Sequence, residues 1–279
     1  MKNILIPTDF SENSWNAIEY ALHFFSKSSC NFYLLHVTTK NTFVESVVSP
    51  SQTQDISSET LTQPSKKCLQ DIIKRIHESF PKNPLHRFFA VSDSNYLIHS
   101  IREQVAQKKI HLIVMGTKGS TDMKKLPIGS NAGNVITKVK CATMVIPENA
   151  KYKAPKEIAF PTDFSIFYRP EILQPIIDIV ETNNASVNVL HVNRKGVELN
   201  DDQQRNKDYL DDYFINCNHS FHFLTNTHLE DAVQQFVDDR NINLITMLAK
   251  NLNYFQKILF HPTSNEISYY KNVPFLILH

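Results

Sequence analysis

"ILIPTDFS" at Ile4–Ser11 and "IAFPTDFS" at Ile158–Ser165 are nearly the same phrase written twice in one chain of 279 residues. The echo continues in order. "LLHV" at Leu34–Val37 is answered by "VLHV" at Val189–Val192, and "HLIVMGT" at His111–Thr117 by "NLITMLA" at Asn243–Ala249. "ATMVIP" at Ala142–Pro147 is answered by "VPFLIL" at Val273–Leu278. Four blocks repeated in one order mean two copies of one domain. The boundaries are expected at 1–149 and 155–279, with "ENAKYKAPKE" (Glu148–Glu157) as the linker.

Each repeated block is a short apolar, β-branched run, the pattern of a strand buried on both faces. Between the blocks lie segments of helical period: Ser14–Ser26, Lys67–Phe80 and Leu97–Gln107, then Pro170–Thr182 and Leu229–Asp239. Strand–helix alternation predicts βαβ units with right-handed crossovers, hence an α/β fold of two doubly wound parallel sheets. The stretch Asn41–Lys66 is rich in Ser, Thr, Gln and Pro and reads as a loop after the second strand.

Composition narrows the function classes. The chain is 42% hydrophobic and 20% charged, with no apolar run of the roughly 18 residues a membrane span needs. A leader peptide is not expected, since Asp9 follows only a short apolar stretch. Cys30, Cys68, Cys141 and Cys217 are scattered and read as reduced structural thiols, which suits a cytoplasmic protein. The net charge of +1 hides a split: residues 1–153 hold 19 Lys+Arg against 12 Asp+Glu, and residues 154–279 hold 10 against 16. Such opposed halves favour docking on one another, or an affinity for anions in the first alone. No basic, aromatic-interleaved surface points to nucleic acid.

Glycine is scarce and badly distributed. Of five in the chain, four fall between Gly116 and Gly133, in "MGTKGSTDMKKLPIGSNAG" (Met115–Gly133). Either this is a difficult connection or a ligand lies against bare backbone. Ser130 or Asn131 reads as the N-cap of a following helix over Ala132–Val139, and a helix N-terminus suits a phosphate. Lys118, Lys124 and Lys125 against Asp122 leave the loop positive. Neither a G-x-x-x-x-G-K-[ST] loop nor a G-x-G-x-x-G after the first strand is present, so Walker and dinucleotide enzymes are not indicated.

The spacing G-x2-G-x9-G-[ST], the opening "ILIPTDFSENSWNAI" and the strand "HLIVMG" together resemble the universal stress protein family, in a tandem form. The resemblance implies a strand order 3-2-1-4-5 in each domain, and ATP held by members that keep the loop, with Mg2+ as an optional companion. Carried over by position, Asp9, after Pro7 and Thr8, meets the adenosine part, and Val37 meets the adenine edge. Met115 and Gly116, with Thr117 beside them, lie at the ribose and first phosphate. Gly119, Gly129, Ser130 and Asn131 wrap the phosphates. His111 stands where the family often has an acidic residue. The fifth strands, Thr143–Ile146 and Phe275–Leu278, are implied to pair within the chain as a dimer would, with room for a homodimer.

The second copy keeps Asp163 and Val192 but has Leu248 for Gly116, Asn251 for Gly119 and Thr263 for Gly129. Its loop is longer and carries Phe255, Leu259 and Phe260. A leucine at the Gly116 position is expected to be strained. One nucleotide site per chain follows, in the first domain. Cys217, His219 and His222 suggest a metal, yet positions three apart on a strand face opposite ways. Asp201–Asp202 and Asp211–Asp212 read as a solvated acidic face. No metal base or nucleophile elbow stands out, so the expected role is an ATP-binding, stress-response regulator with a protein partner. The alternatives are a slow ATPase or phosphotransferase and a nucleotide-free dimerisation scaffold.

Overall fold

The computed structural model describes residues 1–38, 58–117, 129–193, 198–225, 228–250 and 272–279, without side chains at 58–62. Most of the Asn41–Lys66 stretch, Gly119, the lysines of the glycine loop, and Asn251, Phe255, Leu259, Phe260 and Thr263 lie outside these residues.

The first strand, β1 (Lys2–Pro7), places Ile4, Leu5 and Ile6 at zero exposure. Alternation sends Ile4 and Ile6 to one face of the sheet and Leu5 to the other, and each face carries its own apolar core. Helix α1 (Glu12–Phe24) follows, capped by Ser11, whose Oγ accepts from the Ser14 amide at 3.2 Å. The chain continues through β2 (Cys30–Val37), α2 (Ser58–Ser79), β3 (His86–Asp93), α3 (Leu97–Lys108), β4 (Leu112–Gly116), α4 (Ser130–Lys138) and β5 (Thr143–Ile146). The second half repeats the plan with β6 (Glu157–Pro161), α5 (Pro170–Asn183), β7 (Ser186–Asn193), α6 (Asp201–Tyr213), β8 (Asn218–Thr225), α7 (Leu229–Asp239), β9 (Leu244–Leu248) and β10 (Phe275–Leu278).

Within each half the strands run parallel in the order 3-2-1-4-5, as the family resemblance implies. The two five-stranded sheets are one sheet of ten, because β10 pairs antiparallel with β5. Its central pair is Leu276 with Met144, which hold equivalent places in the two repeats, so an approximate two-fold axis passes between them. Both apolar cores run across this seam: Met144 and Leu276 sit in one, Val145, Phe275 and Ile277 in the other. The Lys2 ammonium meets Asp178 at 3.1 Å, joining the basic half to the acidic one.

Three local expectations change. Helix α2 begins at Ser58, inside the stretch that reads as a loop. Helix α6 occupies a polar segment, "DDQQRNKDYLDDY", that shows almost no apolar period; Leu210 is its one buried residue. It holds through a reciprocal cap, with Asn200 accepting from the Gln203 amide at 2.9 Å and Gln203 accepting from the Asn200 amide at 3.0 Å. The N-cap of α4 is Gly129, not Ser130 or Asn131, and a glycine brings no side chain to the cap.

Candidate functional site

The carboxyl ends of β1, β2 and β4 open on a cleft of about 260 Å³ in the first half, where the strand order reverses between β1 and β4. Eight of the eleven residues that the sequence nominates line it: Pro7, Thr8, Asp9, Val37, Met115, Gly116, Thr117 and Asn131. Gly129 and Ser130 sit at its edge as the cap and first residue of α4. Gly119 is outside the described residues. Ser14, His36, Leu97 and Ala132 line the cleft as well, and sequence reasoning does not find them. His36 carries a signal, since "HV" recurs at the end of the second strand in both repeats; Ser14 and Leu97 carry none.

The turn after β1 is built by its own side chains. Thr8 Oγ1 accepts from the Phe10 amide at 3.1 Å and contacts Ser14 Oγ at 2.9 Å. Asp9 Oδ1 accepts from the Ser11 amide at 3.1 Å and from Ser11 Oγ at 2.6 Å. These bonds hold Phe10 in the left-handed region, at φ 66°, where a bulky residue needs support from its surroundings. The Phe10 ring then stacks on His36 with centroids 4.3 Å apart. His36 Nδ1 lies 2.8 Å from the Thr8 carbonyl, which can only accept, so this nitrogen carries the proton. Burial holds the imidazole below its usual pKa against the opposing pull of that carbonyl and of Asp9. Near neutral pH it is uncharged, with Nε2 as an acceptor.

Gly116 ends β4, and the φ it adopts is not one reserved for glycine. A Cβ there would stand 3.0 Å from Asn13 Cγ and Oδ1. A protein side chain therefore occupies part of the space that glycine leaves. The amide of Gly129 donates to the Thr117 carbonyl, so the two ends of the intervening loop meet beside the cleft. Asn131 and Ala132, in the first turn of α4, line it directly. The N-terminal turn of α4 brings backbone N–H groups and the positive end of a helix dipole to this side of the cleft. Polar groups from five parts of the first half thus converge on a cavity with apolar walls from Val37, Leu97, Met115 and Ala132, the build of a small-molecule site. The described cleft is smaller than usual ligand pockets.

The second half preserves the turn and alters its surroundings. Thr162 Oγ1 accepts from the Phe164 amide at 3.0 Å, Asp163 Oδ1 from the Ser165 amide at 2.9 Å, and Phe164 has φ 56°. Tyr168 replaces Ser14, is fully buried, and bonds the Thr162 hydroxyl. Phe164 is also fully buried, against His191 and Phe223. The strain expected of Leu248 is not found. It lies in β9 without positive φ and packs into the core, while Phe167, the counterpart of Asn13, turns outward against Tyr209. Side-chain exchange around the position removes the conflict.

The other candidates are structural. His219 bonds Asp211 at 2.8 Å, while His222 reaches Ser220 and Asn188. Among the described residues no three His, Cys, Asp or Glu could hold a metal ion, and no helix is long and apolar enough to cross a membrane. His111 Nδ1 accepts from the Asn3 amide at 3.0 Å and ties β4 to β1.

Comparison with known proteins bears on the whole arrangement. A universal stress protein of Methanocaldococcus jannaschii is 29% identical over 150 residues, covering 54% of this chain and 84% of its own length. The crystal structure of a universal stress protein from Archaeoglobus fulgidus aligns with 99% of this chain and 97% of its own, with a TM-score of 0.68 at 15% identity. A putative universal stress protein from Pseudomonas aeruginosa aligns with 100% of this chain and 94% of its own, with a TM-score of 0.57 at 11% identity. These two likenesses fix the fold across both repeats. Residues 1–147, more than half of the sequence, match the model of the universal stress protein family, and the chain belongs to that family.

Proposed function

We propose that this protein is an ATP-binding regulator whose unit 1–149 holds the nucleotide and whose unit 155–279 serves as its fixed partner. The observation that carries this reading is the convergence, in one cleft, of eight residues that the sequence alone nominates, beside the N-terminus of α4. In this reading Val37 meets the adenine edge and Asp9, held by Ser11, meets the ribose. Met115, Gly116 and Thr117 flank the ribose and first phosphate. Gly119, Gly129, Ser130 and Asn131 surround the remaining phosphates, where backbone amides and the helix dipole favour negative charge. His36, uncharged, orients the β1 turn rather than attracting phosphate. Binding alters a surface that a protein partner reads in the cytoplasm.

The test is a titration of the full chain with labelled ATP, with and without Mg2+, joined to mass spectrometry of nucleotide that copurifies. Wild type is expected to bind one ATP per chain. Asn131→Asp adds charge that suits a helix N-terminus, so it folds, yet it repels phosphate and weakens binding at least about tenfold, or 1.4 kcal/mol. Equal affinity in Asn131→Asp, or no binding at millimolar ATP, overturns the reading.

A further inference from the structure

A second cavity, of about 290 Å³, lies at the opposite end of β1 from the cleft, between α5 and the amino ends of β1 and β4. Ile4, Leu112, Met144 and Leu276 give it an apolar floor, and Phe24 and Phe25 supply ring walls. Lys2, Glu171 and Asp178 stand at its polar rim. Both members of the central Met144–Leu276 pair line it, so it borders the approximate two-fold axis.

That axis implies a mate on the other side of the seam, and the mate is filled. There the linker after β5 packs along α1. The Asn16 amide donates to the carbonyls of Pro147 at 3.2 Å and Ala150 at 3.1 Å, and Ala150 is fully buried in the core. The Tyr152 ring stands 5.3 Å from Tyr20, edge to face, and 5.5 Å from His23, stacked. The 154-residue offset between the repeats puts Gln174 of α5 at the place of Tyr20. Where one groove receives an aromatic ring, its counterpart along α5 is the open cavity.

We propose that this cavity is a ligand site for a small aromatic amine. The ring enters beside Gln174, the counterpart of Tyr20, and reaches the walls that Phe24 and Phe25 supply. The rim chooses the charge. Lys2 is engaged by Asp178 at 3.1 Å, and the second Asp178 oxygen accepts from Gln174 Nε2 at 3.1 Å. Glu171 adds a further carboxylate along the same helix, so the rim carries two negative groups against one positive. An ammonium group is attracted there and a carboxylate repelled. The site shares no lining residue with the nucleotide cleft.

The test uses tyramine as probe, with tyrosol (the neutral alcohol) and 4-hydroxyphenylacetate (the anion) as matched controls, titrated into the full chain by calorimetry. Tyramine is expected to bind once per chain, at least about tenfold more tightly than either control, and without competing with ATP. Glu171 and Gln174 are exposed, so Glu171→Lys and Gln174→Trp leave the fold intact while reversing the rim charge and blocking the mouth. Each is expected to weaken tyramine binding at least about tenfold. No saturable tyramine binding, controls that bind as tightly, indifference to both variants, or displacement by ATP overturns the assignment. Loss of ATP binding with tyramine binding intact would instead break the nucleotide reading alone.

Discussion

The two turns that follow β1 and β6 share the bonds that shape "PTDFS", yet differ in what surrounds them. In each, a threonine hydroxyl accepts from the phenylalanine amide and an aspartate accepts from the serine two residues on. Each phenylalanine is left-handed and stacks on a histidine that bonds the threonine carbonyl at 2.8 Å. The motif is therefore explained by the turn it builds, in both halves, without invoking a ligand. Room distinguishes them. Phe10 is 36% exposed, whereas Phe164 is at 0%, packed against Phe221 and Phe223. A repeated acidic residue thus says little about binding; the residues that decide are those whose side chains are missing in one copy and present in the other.

The sharpest way to break that comparison is Leu248→Ala. If this side chain fills the space that Gly116 leaves to Asn13, its loss opens a core cavity and costs about 2–5 kcal/mol, read as a lowered denaturant midpoint. A change under about 1 kcal/mol would mean the two positions are not packed in opposite ways. Gly116→Ala is milder. Its Cβ meets the movable end of Asn13, so the pair Gly116→Ala and Asn13→Ala should be less damaging together than the first alone. A double-mutant cycle with no coupling would sever the link. Tyr168→Phe should cost about 0.5–1.5 kcal/mol, since it leaves the Thr162 hydroxyl without that partner. Ser14→Ala should instead show itself in ATP affinity.

The smallest effect is in pH. Burial holds His36, His222 and His279 below the ordinary histidine value, so the unfolded chain binds protons that the folded one refuses. Their stabilisation is complete above about pH 6.5 and declines as the pH falls below it, which a melting series from about pH 7.5 to 5.5 will register. A melting temperature that rises on acidification would contradict the buried, neutral state of these rings.

Much of the fold is legible in the sequence because it rests on periodicity and repetition. Strands with zero exposure on both faces, such as Ile4–Ile6 and their echoes, announce themselves as apolar runs. Helix α6 is illegible because a cap, one buried leucine, two half-buried tyrosines and side-chain bonds from Gln203 and Asn206 to the β6 turn hold it, rather than an apolar stripe. The cap of α4 misleads because serine is the commoner cap, and here glycine stands first. The fate of Leu248 cannot be read from its own position, since it depends on a phenylalanine 81 residues earlier turning away. Ser14 and Leu97 join the cleft only through tertiary placement.

Hydrogen bonds between β5 and β10 have a further consequence. Separate subunits that met through this edge would part on dilution, whereas a tethered edge sees its mate at an effective concentration that bulk dilution does not touch. Self-association also obliges one surface to fit itself, so every change is felt twice. Joined in a single polypeptide, the facing surfaces are released from that rule, and Tyr20 and Gln174 can go separate ways while the seam stays closed.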